Sequence, residues 1–297
     1  MIKSIKISIL CLLFITYSYF GFCQNDSINK KRLWTVTISE TALTTASFIG
    51  LNTLWYKDYP RSSFHFFNDN VEWLGLDKAG HLNSSYHISR LSTKAFQWTG
   101  LAKNKAILYG GSSAMIYMTG IEVLDGFSAQ WGFSWGDMLA NTGGAALFML
   151  QEWGWEEQRM RIKFSFMPSK YAQYRPELLG SNILQQSLKD YNGQTHWLSI
   201  NPHSFLREDS RFPKWLNIAF GYGADGMTGG VENPPDISPY FERYSQYYFS
   251  LDLDLEKIPC KRPWVKTLLS TLNLIKIPFP ALEYNKKDKM RFHVVYF

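Results

Sequence analysis

The sequence predicts an α+β chain: an N-terminal helical bundle of about four helices, membrane-associated or buried, followed by a C-terminal antiparallel β-rich half. Three observations predict it. From Trp34 to Trp153 long apolar stretches are broken by short polar turns and by a single proline, Pro60, which is the pattern of packed helices. At Arg161 the period changes, and Ile162, Phe164 and Phe166 alternate with Arg161, Lys163 and Ser165 as in a strand. Further on, Tyr247, Phe249, Leu251, Leu253 and Leu255 alternate with Tyr248, Ser250, Asp252, Asp254 and Glu256, dividing a greasy face from a polar one.

The N-terminus sets the compartment. Lys3 and Lys6 precede an uncharged apolar run from Ile7 to Phe22, and Gly21-Phe22-Cys23 leads into the polar Gln24-Asn25-Asp26. This is the layout of a secretory signal peptide, cleaved near Cys23/Gln24. Export to the periplasm or the outer membrane follows. A lipoprotein signal with Cys23 as the acylated residue has the same outline, but the bulky Phe22 stands where that signal wants a small residue, so an unacylated start is expected. The expected segments are 1–23 signal peptide, 24–33 linker, 34–160 helical module and 161–297 β-rich region.

Composition narrows the class. Aromatic residues make up 16% of the 297 residues and charged residues only 19%, against a usual charged share of about 25%. Many rings and few charges suit a protein at a membrane interface. The formal charge of +6 falls by two, to +4, without Lys3 and Lys6. The basic residues are scattered, with Lys30-Lys31-Arg32 and Lys286-Lys287 the densest runs. Nucleic acid is therefore excluded as a partner. Membrane lipid is the expected partner and an envelope protein the second. Of the three cysteines, Cys11 and Cys23 fall in the leader and Cys260 stands apart, so there is no disulfide framework.

In order along the chain, Trp34–Tyr56 is long enough for a membrane span or a buried helix, and its one charge, Glu40, must face a protein interior. Pro60 and the turn formers around it make a loop. Asp77 opens a helix to about Trp98, which Gly100 ends. A helix from Ala102 to Leu124 carries Gly110-Gly111, small residues that admit a close neighbour. Ser134 starts a fourth helix to about Trp153. In the second half, strands are expected at Ile162–Phe166, Thr195–Ile200, Trp215–Tyr222, Arg243–Glu256 and Arg291–Phe297, with a short helix over Trp264–Leu272. The prolines at 259, 263, 278 and 280 argue against further strands there. A complete barrel needs at least eight strands of about ten residues, so an open or partly closed sheet is expected. The face of Tyr247 to Leu255 should be buried, and Asp252, Asp254 and Glu256 should face water.

The polar residues concentrate in the helical half. Asp77 and His81, four apart, share a helix face, where a carboxylate orients an imidazole or both bind one metal. Asp77 is also where an N-cap belongs. Glu122 and Asp125 sit at a helix C-terminus against the helix dipole, and Lys78, His81, His87 or a metal would offset them. Ser134 and Asp137 read as a capping pair, and Asn141 lies one turn on. Candidate catalytic residues are Asp77, His81, Glu122, Asp125 and Asp137, with Lys78, Ser134 and Asn141 completing the cluster. Candidate metal ligands are His81, Glu122, Asp125 and Asp137. No cofactor is expected, with a divalent metal as the alternative. The sequence has no Gly-rich phosphate loop, Gly-x-Ser-x-Gly elbow, His-Glu-x-x-His or zinc-type cysteine pair, which excludes the usual nucleophile-based hydrolases.

The series Asp77-Lys78-x-x-His81, Glu122-x-x-Asp125-Gly126 and Ser134-x-x-Asp137-x-x-x-Asn141-x-x-Gly144 resembles the YfiM-like family of predicted periplasmic lipoproteins of unknown function, over about Asp77 to Gln151. More distantly it is similar to VanZ-like membrane proteins, which implies a membrane-embedded helical module. The leader and the strand-rich second half are similar in style to envelope proteins of the Bacteroidetes type. The resemblance implies an envelope location and no defined activity. Two functions follow: a structural or partner-binding envelope protein with a buried polar cluster, or a metal-assisted or acid/base enzyme acting on a lipid-linked or cell-wall substrate.

Overall fold

The computed structural model describes residues 28–54, 56–207 and 209–297. The expected signal peptide, its cleavage point and the state of Cys23 lie outside the described residues. Helices α1 (Lys30–Leu54), α2 (Leu76–Trp98), α3 (Lys103–Gly126) and α4 (Trp135–Gly154) come first. Strands β1 (Met160–Phe166), β2 (Gln194–Ile200), β3 (Leu216–Asp225), β4 (Tyr244–Leu253), β5 (Phe279–Asn285) and β6 (Lys289–Tyr296) follow. Short helices α5 (Pro176–Leu179) and α6 (Ile183–Lys189) separate β1 from β2, and α7 (Pro263–Leu272) separates β4 from β5. Among the described residues, no helix is long and apolar enough to cross a membrane. The chain divides into two units, residues 1–68 with 88–153, and residues 69–87 with 154–297.

In the first unit, α1, the second half of α2, α3 and α4 pack through small residues. Val36 of α1 is buried with Phe96, Leu101 and Ala106. A Cβ on Gly110 would lie 2.1 Å from the Thr93 hydroxyl and 2.6 Å from its backbone nitrogen, so α2 and α3 touch backbone to backbone. Phe48 stacks on Tyr117 at 5.3 Å over Gly120. Glu40 accepts a hydrogen bond from Ser113 at 3.0 Å and another from Ser92. Glu40, the one charge of α1 beyond Arg32, is thus held by hydroxyls of two other helices, as its apolar surroundings require. The loop after α1 zips onto the α3–α4 turn: Ser62 and His65 donate from their backbones to Phe127 and Gly126, and Phe67 and Phe133 donate to Phe133 and His65. Phe64, Phe66, Phe127, Phe133 and Trp135 pack edge-on and stacked around this seam.

The second unit holds a six-stranded antiparallel meander in the order β1-β2-β3-β4-β5-β6. Its outer edge at β1 is not left open. Phe164 donates to Leu274 and accepts from Lys276, a parallel bridge that closes the sheet on the segment leading into β5. Two findings differ from the sequence reading. Strand β5 forms despite Pro280, because the β5–β6 ladder is irregular between Phe279 and Ala281 and such a break is where a strand tolerates proline. A bulge at Val294–Val295 also separates the two aligned stretches of β6, so His293 turns inward to Glu283 at 2.6 Å while Val295 is exposed.

The larger difference is the polarity of the sheet. The expected arrangement, greasy face in and carboxylates in water, is inverted. Asp252 and Asp254 are wholly buried, whereas Tyr247, Phe249 and Leu251 are exposed; at the C-terminal end Leu255 is buried as expected, and Leu253 and Glu256 are half-buried. The reason is the opposite charge on β1. Lys163 and Asp252, both at 0% exposure, pair at 2.7 Å. Arg161 pairs with Asp254 at 3.0 Å and with Glu256 at 2.7 Å. Ser199 donates to Asp252 at 2.6 Å, the Ile277 N–H donates to it at 3.1 Å, and Asn273 donates to Asp254 at 2.9 Å. With every charge partnered, the polar face tolerates burial. Above this layer Trp197, Ala219 and Tyr248 form an apolar plug packed against Tyr296. Gly221 is required there, since a Cβ would lie 2.7 Å from the Trp197 ring.

Candidate functional site

The sequence-derived candidates fall into two groups by unit. Asp77, Lys78 and His81 belong to the second unit, and Glu122, Asp125, Ser134, Asp137 and Asn141 to the first.

The Asp77 group is built by an unusual turn. Trp73 and Leu74 have φ of 50° and 53°, and Gly75 follows at 77°. A left-handed turn costs roughly 1–2 kcal/mol per non-glycine residue, so surrounding contacts must hold it. The Trp73 N–H donates to Gly230 at 2.8 Å, the Tyr222 hydroxyl donates to the Leu74 carbonyl, and Leu76 is sealed in a core with Ala224 and Met227. The turn aims the first residues of α2, and its Trp73 ring packs on Tyr191 at 5.2 Å. That places the Tyr191 hydroxyl 2.7 Å from Asp77, to which it donates. Lys78 donates to Asp77 at 3.2 Å and pairs with Asp69 at 2.6 Å. His81 Nε2 stands 3.9 Å from Asp77, as the i,i+4 spacing requires. Burial works against the Asp77 carboxylate, but His81, Lys78 and the Tyr191 hydroxyl together hold its pKa below the usual value. Glu72, on the same turn, is pushed the other way by burial and by Asp69 and Asp77.

In the first unit Ser134 caps α4: its hydroxyl accepts from the Asp137 N–H at 3.1 Å, and its own N–H donates to Glu122 at 3.2 Å. Glu122, Ser134, Asp137 and Asn141 are all buried. Along α4 the buried row is Asp137, Asn141, Gly144, Ala145, Phe148 and Gln151, one face of the helix with polar groups at both ends. Asp125 instead accepts from the Tyr56 hydroxyl at 2.8 Å, and burial together with that carboxylate raises Tyr56 above its ordinary value. Glu122 adds to the same effect on Tyr56.

Sequence reasoning missed Tyr191, Asp69 and the Arg161–Lys163–Asp252–Asp254 network. Tyr191 and Asp69 are brought to Asp77 by long-range folding and leave no local signal. The network did leave one: two bases alternate on β1 and two acids on β4.

Residues 65–152 match the model of the family described as predicted periplasmic lipoprotein (DUF2279). The match takes in every candidate residue of both groups and stops before the sheet. The match supports export to the periplasm, and the description of that family gives no activity. No curated protein and no solved structure matches the chain.

Proposed function

We propose that the protein is a non-catalytic structural module of the cell envelope, of the YfiM-like type, in which polar clusters fix helix register and hold the strained turn before α2. One observation carries this reading: three of the four candidate carboxylates, Asp77, Glu122 and Asp125, are engaged by groups of their own unit. Asp77 accepts from Tyr191 and Lys78, Glu122 from a capping N–H, and Asp125 from Tyr56. Such groups define geometry, because removing one partner from a buried pair costs far more than the pair contributes.

A second reading, a metal-assisted or acid/base enzyme acting on a lipid-linked or cell-wall substrate, draws on the Asp77–His81 pair and on the left-handed turn beside it, since backbone strain clusters at active sites. Thermal unfolding of the purified chain separates the two. With a structural role, chelator and added Zn²⁺ or Mn²⁺ leave the midpoint unchanged, while Asp77→Ala and Glu122→Ala lower it. A metal-induced rise in the midpoint that disappears in His81→Ala would establish the second reading instead.

A further inference from the structure

We propose that the outward face of β3–β6 is a lipid-contacting surface that lies against membrane acyl chains. This rests on the envelope location and is independent of whether the helical carboxylates take a metal.

The first support is the inversion of the sheet. In water the hydrophobic effect places apolar side chains inside. Here the inside carries Lys163, Asp252, Arg161 and Asp254 beside the Trp197–Tyr248 plug, and the outside carries the exposed Phe220, Tyr247, Phe249, Leu282, Tyr284 and Phe292. A polar interior with an apolar exterior is the arrangement of strands whose outer solvent is hydrocarbon. β1, β2 and the Tyr222 end of β3 depart from it: His196 of β2 is buried and meets Asn83 of α2 at 3.3 Å, and Tyr222 is half-buried against the Leu74–Leu76 turn.

The second support is how the exposed face is layered, read from strand register. Tyr222, Tyr247, Tyr284 and Met290 are cross-strand partners and form one row. The next row is Phe220, Phe249, Leu282 and Phe292, and below it Ile218 pairs with Leu251. The tyrosine row stands at the end of the sheet where the β5–β6 turn presents exposed Lys286, Lys287 and Lys289. At the opposite end, just before β5, α7 exposes Trp264, Leu268 and Leu272 along one side, next to exposed Lys261, Arg262 and Lys266. Basic groups, then tyrosines, then aliphatic and phenyl groups, then tryptophan with basic groups is the order of a headgroup–hydrocarbon–headgroup slab. The α7 row, at i, i+4 and i+8 with bases beside it, is that of a helix lying in the interface. Val294 and Phe292, 72% and 62% exposed, mark the middle of the belt.

The test places nitroxide labels on the full processed chain in a Cys23→Ser, Cys260→Ser background, which also removes any acyl anchor. Labels go on Phe249→Cys, Phe292→Cys, Val294→Cys and, as the aqueous reference, Lys287→Cys. All four positions are exposed, so the fold is undisturbed. The protein is reconstituted with vesicles of phosphatidylethanolamine and phosphatidylglycerol. The proposal expects dissolved oxygen to relax the labels at 249, 292 and 294 more than a water-soluble nickel chelate does, with the reverse at 287. Nickel access at 249, 292 and 294 equal to that at 287 would overturn it. So would exclusion of both agents with spin–spin broadening, which would identify a second copy of the chain as the occupant. Flotation with the vesicles gives a label-free check: the unlabelled chain should float and resist alkaline extraction, and full release into the soluble fraction would also overturn the proposal.

Discussion

Replacing Asp77 by Asn tests how the α2 entrance is held. The Asp77 carboxylate accepts from Tyr191 at 2.7 Å and from Lys78 at 3.2 Å, with His81 at 3.9 Å. Asparagine keeps an acceptor for Tyr191 but removes the charge, and Lys78 remains paired with Asp69. The expected loss is that of one hydrogen bond to a charged group, about 2 kcal/mol. The pH dependence is more diagnostic. Asp77 titrates below its ordinary value when folded, so the folded state binds that proton less readily than the unfolded one. Its contribution is fully present above the unfolded value of about 3.9 and is lost as pH falls through the lower folded value. Unfolding midpoints of the parent and Asp77→Asn, followed by circular dichroism from neutral pH into acid, should therefore differ at neutral pH and converge in acid. A gap that stays constant down to the acid limb, or no gap at neutral pH, would refute the reasoning.

Other substitutions probe other links. Glu40, raised by burial, favours folding when protonated, so Glu40→Gln should raise the unfolding midpoint at neutral pH and lose that advantage in acid; a lowered midpoint at neutral pH would contradict the assignment. Arg161→Met leaves Asp254 and Glu256 without their shared cation and should cost at least about 3 kcal/mol in urea unfolding. Gly110→Val should destabilise by more than about 1 kcal/mol, because the nearest atoms include Thr93 backbone that cannot rotate away; the thermal midpoint reads this directly. Gly221→Val should quench or shift the Trp197 emission as well as lower the midpoint, since the added group meets that ring.

The helices were legible because each residue's environment follows from its spacing. Gly110, Ser134 and Glu40 could be assigned from local pattern alone, and their contacts follow it. Strand β4 was legible as a strand for the same reason. Which of its faces is buried was not, because period-2 alternation separates two faces without ranking them, and the default ranks the apolar face as the inner one. The deciding fact lies far away in the chain, in the opposite charge of Arg161 and Lys163, and only folding brings it to Asp252 and Asp254. Strand β5 was discounted for Pro280, which occupies a break in the ladder. The left-handed turn at Trp73–Gly75 was also invisible, since tryptophan and leucine are among the residues least expected at positive φ. The Asp77–His81 pair was readable from its spacing; the tyrosine that completes it was not.

The charges of the sheet face each other across its interior, while most apolar side chains of β4–β6 face out. A double-mutant cycle on Lys163 and Asp252, both fully buried and 2.7 Å apart, tests it most directly. Lys163→Met and Asp252→Leu should each destabilise the chain by about 3–5 kcal/mol, because each strands a buried charge. The double variant, which removes both charges, should lie closer to the parent than either single variant does. If the two losses simply add, the side chains do not share a sealed interior, and the inverted sheet is wrong.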